Sequence, residues 1–164
     1  ISLLIIFFIL FILFGNIRDS LLVLHTVLFA IVGGIFSMLV TDINFSISAG
    51  IGFIALFGIC IQNGVILLST FKSNMRSMKV ATEQGLIHAI REGVASRIRP
   101  VLMTALMAAI GLLPAAISTG IGSETARPLA RVVIGGLVTD TIFKLFVFPI
   151  VVYWVYKRTI KPES

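Results

Sequence analysis

Asp140 and Lys144 are an unusual pair to find inside a hydrophobic segment, and they are where chemistry is first to be sought. Both lie in the apolar stretch that opens at Pro128 and stand four residues apart, on one face of a helix. Asp140 is 12 residues beyond Pro128, about 18 Å along a helix and so near the middle of a hydrocarbon core about 30 Å thick. Ionisable groups at that depth are costly to place and are therefore functional suspects. One reading is a self-neutralising pair facing a helix bundle; the other is a proton-relay or gating role. Gln62 and Asn63 stand midway along another apolar run, where polar side chains commonly bond between helices. Gln62 does not titrate, so it carries no proton by itself. Met103 and Met107, one turn apart, are soft ligands of the kind copper takes, but packing accounts for them better. His25 and His88 have no partner at ligand spacing. Cys60, the single cysteine, lies in an apolar run and forms no internal disulfide. The expectation is no metal site and no cofactor. A phosphate-cradling glycine loop is absent, so ATP does not energise this segment. No serine, histidine and acid set points to hydrolysis, and the chain is not read as an enzyme.

The elements that hold these residues must be membrane helices. Of 164 residues 58% are hydrophobic and only 12% charged, about half the charge of an ordinary soluble domain. Mean hydropathy is +1.11. In lipid every backbone group is paired internally, which leaves helices or a closed barrel. Barrel strands alternate apolar and polar residues, whereas the apolar runs here are continuous. The fold class expected is all-α, a polytopic transmembrane bundle of about five helices.

The spans fall at about 1–14, 21–40, 50–71, 100–117 and 128–156. Residues Ile1 to Phe14 are too few to cross a bilayer, and the simplest reading places Ile1 partway along a helix. Between the third and fourth spans lies the longest polar segment, Lys72 to Arg99. In it Leu86, Ile87 and Ile90 are spaced for a short amphipathic helix at the membrane surface. Pro100 is expected to open the fourth span and Pro128 the fifth, with Pro149 kinking the latter. Tyr153, Trp154 and Tyr156 precede Lys157 and Arg158, the order of a membrane exit.

Net charge is +6, but the placement of the cations argues against nucleic acid. Lys72, Arg76, Lys79, Arg91, Arg97 and Arg99 share the 72–99 segment, and Lys157, Arg158 and Lys161 share the tail. No aromatics interleave the basic residues. Clustering of cations on one side is the positive-inside pattern. It puts the 72–99 segment and the C-terminus in the cytoplasm, and the 41–48 and 118–127 turns outside. Arg131, a turn inside the outer interface, is expected to snorkel to water.

Two stretches carry a resemblance. One is Gly52-Phe53-Ile54-Ala55-Leu56-Phe57-Gly58, continuing through Gln62-Asn63-Gly64 to Leu68. The other runs from Arg97-Ile98-Arg99-Pro100-Val101-Leu102-Met103-Thr104-Ala105 through Gly111-Leu112-Leu113-Pro114 and Ser118-Thr119-Gly120-Ile121-Gly122-Ser123-Glu124. It then continues through Arg127-Pro128-Leu129-Ala130 to Ile134-Gly135-Gly136. This ordered set resembles the resistance–nodulation–division (RND) efflux transporters, and most of all their heavy-metal-efflux, CzcA-like branch.

The resemblance covers essentially the whole chain and implies the last five of twelve helices, eight to twelve. It further implies a homotrimeric, proton-driven pump in the bacterial inner membrane. Such a pump exports divalent cations through a periplasmic adaptor and an outer-membrane channel. By the same resemblance Thr104 matches a hydroxyl associated with the proton path, and Gln62 stands where many drug-exporting relatives carry a lysine. The family's relay carboxylates belong to the fourth helix, outside this chain. The Asp140–Lys144 pair departs from the family pattern, in which small or hydroxylated residues are usual there. Proton-path or gating candidates are therefore Asp140, Lys144, Thr104, Gln62 and Asn63, with membrane lipid and the rest of the trimer as partners. Two other readings stand beside this one: a truncated remnant serving as an assembly module, and an RND member exporting drugs or lipids.

Overall fold

The structure, a computed structural model, describes residues 2–80 and 82–158; Ile1 and Lys161, both weighed above, lie outside the described residues. Among the described residues five helices follow one another: α1 (Ser2–Phe14), α2 (Ile17–Val40), α3 (Ile47–Ser77), α4 (Glu83–Ile117) and α5 (Ser123–Lys157). No strand occurs among the described residues. Helices α2 to α5 are long and apolar enough to cross a membrane. The all-α membrane bundle expected from composition is the observed fold.

Helix α5 is the centre of the bundle and packs against α2, α3 and α4, while the backbone of α1 comes close to that of α2 alone among the described residues. Two apolar clusters are stacked along α5. One gathers Leu22, Leu67, Phe71, Leu86, Phe148 and Val152. The other gathers Ala30, Phe53, Leu56, Cys60, Val132 and Leu137. Large apolar side chains such as Phe8, Phe36, Ile54, Ile110 and Phe146 point outward. In water that exposure would be a liability; in lipid it is the expected surface.

The helix ends differ from the sequence expectation in an informative way. The region from Lys72 to Arg99 is not a polar connector holding a separate short helix. Helix α3 runs on to Ser77 and α4 already begins at Glu83, so only residues 78–82 separate them. Thr82 starts α4 by accepting a hydrogen bond from the Gly85 amide at 3.2 Å, the usual service of a threonine N-cap. From there α4 continues through Pro100 and Pro114, although an internal proline frees one carbonyl of the preceding turn.

The amphipathic face is real, but its partner is protein. Leu86, Ala89, Ile90 and Gly93 are buried, whereas Ile87 is exposed. A Cβ on Gly93 would sit 2.3 Å from Phe71 Cδ1, so α4 crosses α3 with no room for a side chain there. Helix α5 likewise starts earlier than Pro128, at Ser123, after Gly122 takes φ +87°, a left-handed conformation natural to glycine. It remains helical past Pro149 to Lys157.

Candidate functional site

Asp140 and Lys144 come together inside the bundle. Both are essentially fully buried, at 1% and 0% exposure, and Lys144 Nζ donates to Asp140 Oδ2. Their i, i+4 spacing on α5 brings this about directly. Along α5 the pair lies between Leu137 of one apolar cluster and Phe148 of the other. Lys144 also reaches across to α3, donating to the Cys60 carbonyl at 2.8 Å. The lysine therefore satisfies an acid on its own helix and ties α5 to α3. Asp140 Oδ1 is enclosed and has no hydrogen-bond donor among the described residues. The Cys60 thiol of α3 lies beside this carboxyl.

The remaining candidates do not join this pair. Cys60 faces inward on α3, and Gln62 two residues on is exposed, because two helical steps turn the chain by about 200°. Asn63 is half-buried. Thr104 is exposed on α4 and donates to the Pro100 carbonyl of its own helix at 2.9 Å. Met103 and Met107 are both exposed on the outer face of α4 rather than packed within the bundle. His25 packs edge-on to Phe29 and Phe143, with ring centres 5.2 and 5.9 Å away. Among the described residues no group of three or more His, Cys, Asp or Glu is placed to hold a metal ion.

The structure adds three further arrangements beyond the sequence candidates. Arg131 is half-buried, and its guanidinium donates to the Ala116 carbonyl at 3.1 Å and the Thr41 carbonyl at 3.3 Å. These are unsatisfied carbonyls at the C-terminal ends of α4 and α2, which need a donor from elsewhere. Arg127 treats the Ser118 carbonyl in the same way, through Nε at 2.9 Å and through Nη2.

At the opposite end of the bundle Asp19 is buried and accepts from Lys72 of α3 at 2.6 Å and from Tyr156 of α5 at 2.7 Å. Glu83 accepts from Tyr153 and Lys157 of α5, the latter at 2.6 Å. The third arrangement is a close crossing of α2 and α5 through Gly33, Ser37, Gly135 and Thr139. Glycines and small residues at this spacing give a usable signal, since membrane helices approach through them.

This is a membrane helix bundle with a buried charge pair at its centre, ion pairs at one end and arginine-to-carbonyl bonds at the other. The chain belongs to the AcrB/AcrD/AcrF family, whose model matches residues 1–157. These are RND efflux transporters, and the similarity reaches their metal-resistance members. The chain is 45% identical over 152 residues to the cobalt-zinc-cadmium resistance protein CzcA of Cupriavidus metallidurans, covering 92% of this chain and 14% of that protein. It is 46% identical over 164 residues to protein HelA of Legionella pneumophila, covering 100% of this chain and 15% of that one. A crystal structure of a heavy metal efflux pump, crystal form II, superposes with a TM-score of 0.82 at 38% identity, covering 95% of this chain and 15% of that one. The chain thus spans about a seventh of the length of the curated relatives it matches.

Proposed function

We propose that the chain is the membrane part, helices eight to twelve of twelve, of a proton-driven pump that exports heavy-metal cations across the bacterial inner membrane. The observation that carries this reading is its similarity, over nearly its whole length, to a cobalt-zinc-cadmium resistance protein. In such a pump it works within a homotrimer, together with a periplasmic adaptor and an outer-membrane channel. Asp140 and Lys144, buried together in the bundle, form the gating or proton-responsive element of this part. Gln62 and Thr104, exposed on α3 and α4, and the half-buried Asn63 meet the rest of the pump in this reading.

A chimera tests the assignment. Residues 1–157 replace the matching segment of the cobalt-zinc-cadmium resistance protein, and the chimera is produced in a metal-sensitive strain. Growth on cobalt, zinc and cadmium is expected to remain within about threefold of the parent's tolerance. A chimera that inserts and assembles normally yet gives no resistance to any of the three would overturn the reading.

The cation distribution places Lys72 to Arg99 and the C-terminus in the cytoplasm. A single cysteine at Thr119, in a Cys60→Ala background, is expected to react with a membrane-impermeant maleimide in intact spheroplasts. Thr119 is exposed in the turn before α5, which makes it a better reporter than Ser123, only 9% exposed. Labelling that requires permeabilised membranes would invert the topology.

A further inference from the structure

A groove of about 580 Å³ opens where α1, α3 and α5 end together, lined among others by Phe14, Ser69, Lys72, Ser73, Arg76 and Tyr156. Ser69, Lys72, Ser73 and Arg76 stand at i, i+3, i+4 and i+7, one stripe along a single face of α3. Leu13, Phe14, Met75 and Val80 form the apolar walls. Two cations face one carboxylate here, because Asp19 bonds Lys72 at 2.6 Å, and one positive charge is left over. An ammonium carries three donors, so Lys72 retains two after serving Asp19. The Ser69 and Ser73 hydroxyls and the Arg76 guanidinium are exposed at the same site.

The depth of the groove is marked independently. Trp154 is exposed at this end of α5 with the Arg158 guanidinium stacked 3.9 Å from its ring centre, and Tyr153 and Lys157 are bonded to each other beside it. Aromatic rings followed by cations in water define headgroup level.

We infer that this groove binds the phosphate headgroup of an anionic phospholipid of the adjoining leaflet. The phosphate meets Lys72, Arg76 and Ser73, and the glycerol and upper acyl carbons lie along Phe14, Met75 and Val80. Basic pockets between membrane helices suit such headgroups. The occupant is a bilayer lipid rather than a soluble anion because half the lining is apolar and continuous with the exposed apolar surface of α1, where Leu13 is exposed.

The purified protein in neutral detergent is titrated with phosphatidylglycerol and with phosphatidylcholine of identical acyl chains, and bound lipid is counted by native mass spectrometry. Phosphatidylglycerol should bind at least about tenfold more tightly. Arg76→Gln should lower that preference about fivefold, the effect of one cation near a headgroup, whereas Arg91→Gln, exposed on α4, should leave it unchanged. Equal binding of the two lipids by the unaltered protein would overturn the proposal without reliance on any variant. So would an equal loss in the Arg76 and Arg91 variants, which would mean diffuse surface attraction. Displacement of the lipid by millimolar inorganic phosphate would also overturn it, by showing a site for free anions.

Discussion

Asp140→Asn and Lys144→Met, each made alone in a pump carrying this chain, should destabilise the folded protein by about 2.5–3.5 kcal/mol, the insertion cost of a lone charge at mid-bilayer. In the double variant most of that loss should be recovered. The reason lies in the geometry of the pair. Lys144 is fully enclosed and its charge is met by Asp140 and by the Cys60 carbonyl. Removing the carboxylate leaves the ammonium with only neutral partners. Removing the ammonium leaves a carboxylate whose second oxygen already lacks a donor among the described residues.

Breaking one side of a buried pair is costly, whereas replacing both sides with neutral groups of similar volume is often harmless. Steric trapping or thermal unfolding in detergent gives the four stabilities of the cycle. The coupling between the two sites is expected to exceed about 1 kcal/mol, as befits residues in direct contact. Additive losses would mean that the two charges do not sense one another in the membrane. The same double variant separates structure from transport. If Asp140 takes up protons during export, the variant assembles normally and exports nothing. Export at the parental rate by a well-assembled double variant would leave the pair a packing role only.

This pair also shows how far sequence reading reaches in a membrane protein. Two charges four apart in an apolar run have few places to go, because hydrocarbon penalises every alternative to mutual contact. Their meeting was therefore legible. The Cys60 carbonyl was not, since any inward-facing backbone group of α3 would serve and only the crossing of α3 and α5 selects one. The number of helices and their class followed from continuous apolar runs. Helix ends did not follow so well. Lys72 to Ser77 and Glu83 to Arg99 are polar, which argued for a connector, yet polar residues extend helices readily when one face stays apolar. Leu86, Ala89, Ile90 and Gly93 supply that face, and Thr82 supplies the start.

Arg131 carries a partner set that spacing does not reveal. A long cation near an interface can reach water, and here it also meets the C-terminal carbonyls of α2 and α4, which are themselves short of donors. Asp19 was unremarked because a loop carboxylate beside an arginine looks solvated. The end of α3, bringing Lys72, and the return of α5, bringing Tyr156, enclose it.

Gly135→Ala is expected to be among the most damaging single-methyl additions in the chain. A Cβ there would lie 2.2 Å from Ser37 Cβ and 3.1 Å from the Gly33 carbonyl oxygen. The facing position is as tight, since a Cβ on Gly33 would lie 2.4 Å from Thr139 Oγ1 and 2.9 Å from the Gly135 carbonyl oxygen. Two of these four neighbours are backbone atoms and cannot rotate away, so α2 and α5 must separate.

Overpacking of this kind costs about 1–3 kcal/mol. Separation also stretches the bond from Ser37 Oγ to the Arg131 carbonyl, 2.8 Å in the intact bundle. Gly135→Leu should prevent assembly outright. Gly111→Ala is the control: nothing lies within 4 Å of its Cβ position, and alanine is favoured over glycine in a helix by up to about 1 kcal/mol. It should be neutral or stabilising. Ser37→Gly combined with Gly135→Ala moves the methyl from one side of the seam to the other and should regain part of the loss. The carbonyl of Gly33, which remains close, keeps the rescue incomplete. Unfolding midpoints in one detergent rank the four variants, and a Gly135→Ala protein as stable as Gly111→Ala would show that α2 and α5 do not cross this closely.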